Sequence, residues 1–191
     1  MSIRQSDFYL LPNILSVSRV IAVPLIVLLL YYQWNLTALI VFIGVGISDY
    51  IDGWIARRYQ YESKLGMLLD PLADKLIILS TMIMLLWIDR LDLQYHDWKL
   101  DLLGPILVIV TVGREMAITG LRGIASSIGL VMPADRGGKI KTWIQFIAIS
   151  ALIYGNPNFL KAGQILLIFS VFAALWSGIR YTIHFLKALP R

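Results

Sequence analysis

The sequence contains no cysteine and only two histidines among its 191 residues. The lack of cysteine excludes disulfides, thiolate metal ligands and a cysteine nucleophile. The shortage of histidine leaves a zinc site with its usual nitrogen and sulfur ligands poorly supplied. Any metal ion in this protein is therefore expected to have oxygen ligands.

Charge is also scarce, because only 15% of the residues are charged whereas 58% are hydrophobic. The mean hydropathy is +0.73, and the apolar share exceeds that of an ordinary soluble domain. The composition predicts an integral membrane protein. Arg4 and Asp7 precede the first long apolar run, and no small-residue cleavage site follows a short hydrophobic segment, so we expect no removable signal peptide.

The apolar residues form about six runs, each close to the roughly 20 residues that a helix needs to cross about 30 Å of hydrocarbon. The predicted spans lie near residues 13–33, 36–58, 65–88, 102–126, 138–155 and 160–186. Short polar connections separate them, which indicates an all-α membrane fold of six transmembrane helices in a single domain, residues 1–191. The segment Met1 to Pro12 mixes aromatic and polar residues, which favours a short interfacial helix.

Lysine and arginine are divided unequally between the two sides of the predicted membrane domain. One side receives only Arg90, Lys99 and Lys161, and the other receives Arg4, Arg57, Arg58, Lys64, Arg122, Arg136, Lys139, Lys141, Lys187 and Arg191. By the positive-inside rule the richer side is cytoplasmic, which predicts a multi-pass protein of the cell membrane, inner or plasma, with both termini in the cytoplasm. The net charge of +5 then indicates anionic lipid headgroups or phosphate substrates and not nucleic acid.

Tryptophan and tyrosine gather near the predicted span ends, which is typical of interfacial aromatic belts. We assign no chemistry to Tyr31, Tyr32, Trp34, Trp87, Tyr95, Trp98, Tyr154, Trp176 and Tyr181.

Four aspartates, Asp49, Asp52, Asp70 and Asp74, occupy predicted membrane helices within residues 49–75. A carboxylate in hydrocarbon costs roughly 2.5 to 3.5 kcal/mol on insertion scales, so four of them require partners. Asp49 and Asp52 share one helix face at a spacing of i, i+3, and Asp70 and Asp74 share a face of the next helix at i, i+4. A short turn joins these helices, so the two faces are expected to converge on the cytoplasmic side.

Small residues and an arginine accompany these carboxylates: Gly53, Ala56, Arg57 and Gly66. Small side chains allow a flat group such as a nucleotide to lie against the helix backbone, and Arg57 is placed to meet a phosphate. Four carboxylates in one volume would repel each other unless cations neutralise them, and oxygen ligands suit Mg²⁺ or Mn²⁺. The plainer alternatives are solvated helix ends, ordinary helix packing, and pairing of Asp70 and Asp74 with Lys75 or Arg57.

The full pattern is Asp-x2-Asp-Gly-x2-Ala-Arg-x8-Gly-x3-Asp-x3-Asp, from Asp49 to Asp74. It resembles the signature of the CDP-alcohol phosphatidyltransferases at every specified position. The resemblance implies a six-helix membrane enzyme, a homodimer, with a polar active-site cavity facing the cytoplasm. It also implies that a CDP-linked lipid such as CDP-diacylglycerol is the donor and that its diphosphate shares two metal ions with the four aspartates.

The resemblance assigns roles residue by residue. Asp74 is the catalytic base that takes the proton of the acceptor alcohol, whose oxygen then attacks the lipid-side phosphorus as CMP leaves. The metal ligands are Asp49, Asp52, Asp70 and Asp74. The CDP-lipid is held by Asn13, Ser16, Asp52, Gly53, Ala56, Arg57, Gly66 and Asp70.

The flanking segments Leu11 to Arg19, Gly113 to Arg122 and Gly138 to Gln145 resemble accessory motifs of the phosphatidylglycerophosphate synthases, for which glycerol 3-phosphate is the acceptor. Arg114 lies deep in an apolar run, where an arginine needs an anionic partner. Glu115 is adjacent in sequence and so points about 100 degrees away, which predicts that the guanidinium is left for another anion. The expected acceptor-phosphate residues are Arg114, Arg122, Lys139 and Lys141.

Two alternatives remain at this point. The same chemistry could act on inositol phosphate, serine or phosphatidylglycerol. The intramembrane carboxylates could instead belong to a small cation or proton transporter.

Overall fold

The computed structural model describes the backbone of residues 11–59, 64–92, 94–95, 98–99, 101–130 and 136–188. Side chains are described for residues 18–48, 72–92, 101–130 and 141–188. The helices are α1 (Leu11–Tyr31), α2 (Asn35–Tyr59), α3 (Lys64–Trp87), α4 (Leu103–Ser127), α5 (Arg136–Tyr154) and α6 (Pro157–Ala188).

Each of the six predicted spans corresponds to one helix, with ends that differ from the prediction by a few residues. Among the described residues, α4 and α6 are long and apolar enough to cross a membrane, and shorter apolar helical stretches cover Ser18–Tyr31, Asn35–Ser48 and Lys141–Tyr154. The predicted interfacial helix lies mostly outside the described residues, which begin at Leu11.

A small antiparallel hairpin between α3 and α4 was not predicted. It consists of β1 (Gln94–Tyr95) and β2 (Trp98–Lys99), with Tyr95 opposite Trp98. The period-2 signal of two-residue strands is too short to be recognised in a sequence.

The chain divides into two compact units, Met1–Ile88 and Asp89–Arg191. In the first unit, α1 packs against both α2 and α3. Its buried stripe is formed by Ala22, Ile26 and Leu29, which follow the three- and four-residue spacing of one helix face. Tyr31 stacks on Trp87 with ring centroids 5.5 Å apart, which brings the carboxyl ends of α1 and α3 together and makes these helices parallel.

In the second unit, α6 packs against α5 and α4. The turn between α5 and α6 contains Gly155 at a φ of 76°, and Asn156 accepts a hydrogen bond from the Asn158 amide through its side chain before α6 begins at Pro157. This is the usual chemistry of a helix start, with asparagine as the cap and proline in the first turn. The turn makes α5 and α6 antiparallel neighbours.

Arg90 ties the segment after α3 to this turn. Its Nη1 donates to the carbonyl oxygens of Leu152 at 3.0 Å and Ile153 at 2.7 Å, and Gln164 donates to the Arg90 carbonyl oxygen at 3.1 Å. Burial lowers the pKa of Arg90 from its ordinary value, because desolvation disfavours the charged guanidinium. The cation is compensated by the carbonyl oxygens that end α5.

Candidate active site

The last aspartate of the signature is held by an arginine from another helix. Arg19 on α1 donates through Nη1 to Oδ1 of Asp74 on α3, at 2.7 Å. The Arg19 side chain is 1% exposed, whereas the Asp74 side chain is 48% exposed. Asp74 therefore meets solvent while its partner is enclosed by the protein.

The backbone explains why these two residues meet. Arg19 continues the buried stripe of α1 three residues before Ala22, and Asp74 follows the fully buried Ala73 of α3. At about 1.5 Å per residue, Arg19 lies about 18 Å from Tyr31 and Asp74 about 20 Å from Trp87. Because α1 and α3 are parallel and joined at the Tyr31 and Trp87 ends, the two residues lie at one level.

For the other predicted metal-binding and CDP-lipid-binding residues, the structure gives only the helix in which each lies. Asn13 and Ser16 lie in α1, Gly66 and Asp70 in α3, and Asp49, Asp52, Gly53, Ala56 and Arg57 in α2. Their side chains lie outside the described residues, so the convergence of the four aspartates stays a prediction. The side chains that are described contain no group of three or more potential metal ligands, and Asp74 is the sole member of the predicted metal set among them.

A second polar cluster joins α4 and α5 within the second unit. Arg114 Nη1 donates to Glu115 Oε1 at 2.8 Å, and Lys141 Nζ donates to the same oxygen. Arg114 also donates through Nε to the Ala174 carbonyl oxygen of α6, at 3.2 Å. We call the side chains of Arg114, Glu115 and Lys141 the Glu115 cluster. Together they supply two cations and one carboxylate.

The expectation that Glu115 points away from Arg114 and is a poor direct partner for it was wrong. The two side chains diverge at the backbone, but both are long enough for their ends to converge. Lys141 is also buried and turned toward Glu115, and Lys139 lies in α5 with its side chain outside the described residues. Sequence adjacency fixes the starting directions of side chains and not where their charged ends meet.

Arg122, near the end of α4, has an exposed side chain. Its guanidinium carbon lies 5.5 Å from the centre of the Tyr181 ring, within the range of a cation–π contact. Tyr181 is 7% exposed, and its hydroxyl has no hydrogen-bond partner among the described residues. The assignment of Tyr181 to an interfacial aromatic belt was therefore wrong, whereas Trp176, Tyr31 and Trp87 are exposed as a belt requires.

Three contacts between α4 and α6 fix their relative direction. Arg114 reaches Ala174, Ile118 lies near Gly178, and Arg122 covers Tyr181. The residue numbers rise together, so the two helices are parallel.

The sequence profile of the CDP-alcohol phosphatidyltransferases matches residues 9–176. The chain belongs to the CDP-alcohol phosphatidyltransferase family. It is therefore an enzyme, a membrane-bound transferase of phospholipid biosynthesis, as the signature from Asp49 to Asp74 predicted. This membership decides against the alternative of a cation or proton transporter.

The sequences of relatives from distant organisms align with most of this chain. The CDP-diacylglycerol–glycerol-3-phosphate 3-phosphatidyltransferase of Bacillus subtilis is 35% identical over 78% of this chain and 79% of its own length. The protein of the same name from Rickettsia typhi is 32% identical over 90% of this chain and 94% of its own. An Arabidopsis thaliana relative, whose name differs only by an added number, is 33% identical over 90% of this chain and 77% of its own.

The oxygen ligands of the family signature suit a hard divalent cation. All four predicted ligands are carboxylates and the chain has no thiolate, which suits Mg²⁺ or Mn²⁺. The one described member, Asp74, is half-exposed and accepts a hydrogen bond from Arg19.

Two residues were not predicted as ion-pair partners. Arg19 lies in the flanking segment Leu11 to Arg19, where an arginine within an apolar run carries the same signal that identified Arg114. Glu115 was predicted to point away from Arg114. Both errors concern which side chain supplies the counter-charge, a question that depends on contacts between helices.

Proposed function

We propose that this enzyme transfers the phosphatidyl group of CDP-diacylglycerol to glycerol 3-phosphate, giving phosphatidylglycerophosphate and CMP. The observation that carries the proposal is the name of the relatives, which specifies this donor and acceptor. The Rickettsia typhi protein of that name is 32% identical over 90% of this chain. The signature supports the chemistry, and the basic residues of α4 and α5 support a phosphate-bearing acceptor.

In this proposal Asp74 takes the proton from the acceptor hydroxyl. The hydroxyl oxygen forms a bond to the lipid-side phosphorus, the bond from that phosphorus to the bridging oxygen breaks, and CMP leaves with the electron pair. A positioned carboxylate contributes about 10² to 10⁴ in rate to such a step. Arg19 supports the role, because it donates a hydrogen bond to this carboxylate.

Asp49, Asp52, Asp70 and Asp74 are the residues that would hold two Mg²⁺ or Mn²⁺ ions. When bound, such ions supply neutralisation of the diphosphate and of the leaving oxygen. Asn13, Ser16, Gly53, Ala56, Arg57 and Gly66, together with Asp52 and Asp70, are proposed to bind the CDP-lipid.

The acceptor phosphate is proposed to bind to Arg114, Arg122, Lys139 and Lys141. Arg122 is exposed and carries its charge over the face of Tyr181. The Glu115 cluster has one more cation than carboxylate among its named side chains, which favours a dianionic ligand over a neutral one such as serine.

The proposed topology places the active-site cavity and both termini on the cytoplasmic side of the cell membrane, which all six helices span. The enzyme is proposed to be a homodimer. The parallel course of α4 and α6 supports one part of this arrangement, because it brings Arg122 and the last-turn Lys187 toward the same end of their unit. Basic residues at one end are what the positive-inside rule requires of a cytoplasmic side.

The test is CMP release from CDP-diacylglycerol by purified enzyme in detergent micelles, with a panel of acceptors and with EDTA or added Mg²⁺ or Mn²⁺. We expect release with glycerol 3-phosphate, none with serine or inositol phosphate, loss in EDTA and recovery with either ion. Asp74→Asn is expected to lower kcat by at least about 10². Release with serine but not with glycerol 3-phosphate would overturn the acceptor, and full activity in EDTA would overturn the metal assignment.

A further inference from the structure

Arg19 is a buried cation on the core-facing stripe of α1, where an arginine is costly unless its charge is compensated. The stripe is otherwise apolar, with Ala22, Ile26 and Leu29 on the same face. The guanidinium of Arg19 forms an ion pair with Asp74, across 55 residues of sequence. The contact therefore depends on the packing of α1 against α3 and not on local sequence.

The two partners differ strongly in exposure, at 1% for Arg19 and 48% for Asp74. A side chain enclosed by packed helices has few rotamers available, whereas a half-exposed aspartate on a helix has several. The enclosed Arg19 guanidinium therefore determines which rotamer the exposed Asp74 carboxylate adopts.

We propose that Arg19 is a positioning residue for the transferase reaction, which holds Oδ1 of Asp74 so that the carboxylate faces the reacting groups in one orientation. The inference rests on the proposed role of Asp74. It requires no contact between Arg19 and substrate, since the planar guanidinium acts through Asp74 by directional hydrogen bonding.

The experiment compares Arg19→Met and Arg19→Lys with the wild type, by kcat and by KM for both substrates, normalised to folded protein. Arg19→Met removes the hydrogen bond and keeps much of the volume, and we expect kcat to fall about 10²-fold, the effect of misplacing a reacting group by about 1 Å. Both KM values should stay within about threefold of the wild type. Arg19→Lys keeps the positive charge but not the planar guanidinium. We expect its kcat to be about tenfold higher than that of Arg19→Met and about tenfold lower than that of the wild type.

Arg90 provides a matched control in the other unit. It is also a partly enclosed arginine with a hydrogen-bonded Nη1, but its acceptors are the carbonyl oxygens of Leu152 and Ile153. Arg90→Met is expected to lower the Tm and to leave kcat per folded molecule unchanged. A fall in kcat as large as that of Arg19→Met would show that loss of any such arginine impairs turnover, and would overturn the proposal.

Two further measurements separate positioning from general destabilisation. On an Asp74→Asn background, Arg19→Met should cause little further loss of kcat, because residues that act as one unit are non-additive. In EDTA, without turnover, the Tm losses of Arg19→Met and Asp74→Asn should likewise be less than additive, because the pair is in contact. Additive effects in both measurements would overturn the proposal.

The outcomes distinguish this inference from the proposed function. If the wild type releases CMP with another alcohol and not with glycerol 3-phosphate, the acceptor is wrong and the Arg19 comparison is made with that alcohol. If Asp74→Asn keeps wild-type kcat, both the base and the inference are overturned. If Arg19→Met does not fold, Arg19→Lys decides: a tenfold lower kcat at unchanged KM supports positioning, and wild-type kcat overturns it.

Discussion

Glu115 carries the negative charge of a cluster in which Arg114 and Lys141 both donate to one of its oxygens. All three side chains are largely withdrawn from solvent. An ion pair in such a place is costly to break by removing one partner, because the other charge stays behind without compensation. At the scale of single residues, Glu115 is therefore important for stability even if it touches no substrate.

Glu115→Gln removes the charge and leaves two enclosed cations around an amide. We expect a loss of stability of about 3 kcal/mol, which corresponds to a Tm lower by roughly 6 to 12 °C for a chain of this size. Thermal unfolding in detergent measures it, with the exposed Asp101→Asn as the control for loss of a surface carboxylate. An unchanged Tm for Glu115→Gln would contradict the cluster.

Tyr181 presents the opposite case, since its hydroxyl is buried without a partner among the described residues. Such a group has given up its water and gained no hydrogen bond in return. Tyr181→Phe removes this cost and keeps the ring beneath Arg122, so we expect the Tm to rise by about 2 to 4 °C. Tyr154→Phe, at an exposed ring, should leave it unchanged. A lower Tm for Tyr181→Phe would show that the hydroxyl has a partner.

At the scale of the helices, Gly163 sets how closely α6 approaches α5. A Cβ at this position would lie 2.9 Å from Leu152 Cγ and 3.0 Å from the Ala148 carbonyl oxygen. A backbone oxygen cannot rotate away as a side chain can, so any larger residue must separate the two helices. Close approach at a small residue is a common way to pack helices in membranes.

Gly163→Ala is expected to destabilise the protein by about 1 to 3 kcal/mol through this overpacking. The matched control is Gly123→Ala in α4, where nothing lies within 4 Å of the added Cβ. At this position alanine lowers the conformational entropy of the unfolded chain, which should stabilise the folded protein by about 0.5 to 1 kcal/mol. Chemical or thermal unfolding of both variants gives the difference, and equal effects would refute the close contact.

At the scale of the whole molecule, the unequal distribution of lysine and arginine predicts which helix ends face the cytoplasm. The end of α4 carries Arg122 and lies on the predicted cytoplasmic side, whereas the turn around Asn156 lies on the other. The natural chain has no cysteine, so a single introduced thiol reports its own location.

We expect a membrane-impermeant maleimide added to intact cells to label Asn156→Cys and not Ser126→Cys, both of which are exposed positions. After permeabilisation both should react. Labelling of Ser126→Cys in intact cells would reverse the predicted topology, and the cysteine-free wild type measures the background.

The sequence by itself determined the helices and the enzyme family. Long apolar runs with short polar breaks predict six helices because backbone groups in hydrocarbon must be satisfied within each segment, and α1 to α6 match those runs. The spacing from Asp49 to Asp74 identified the family, because the signature is a local pattern of residues on two helices adjacent in sequence.

Only the tertiary structure decided which charges pair. Arg19 meets Asp74 across 55 residues, and Lys141 meets Glu115 across 26. It also decided that Tyr181 lies beneath Arg122 and not at the lipid interface. The physical reason is that periodicity places a side chain on a helix face, whereas the counter-charge that it meets depends on the register and direction in which separate helices pack.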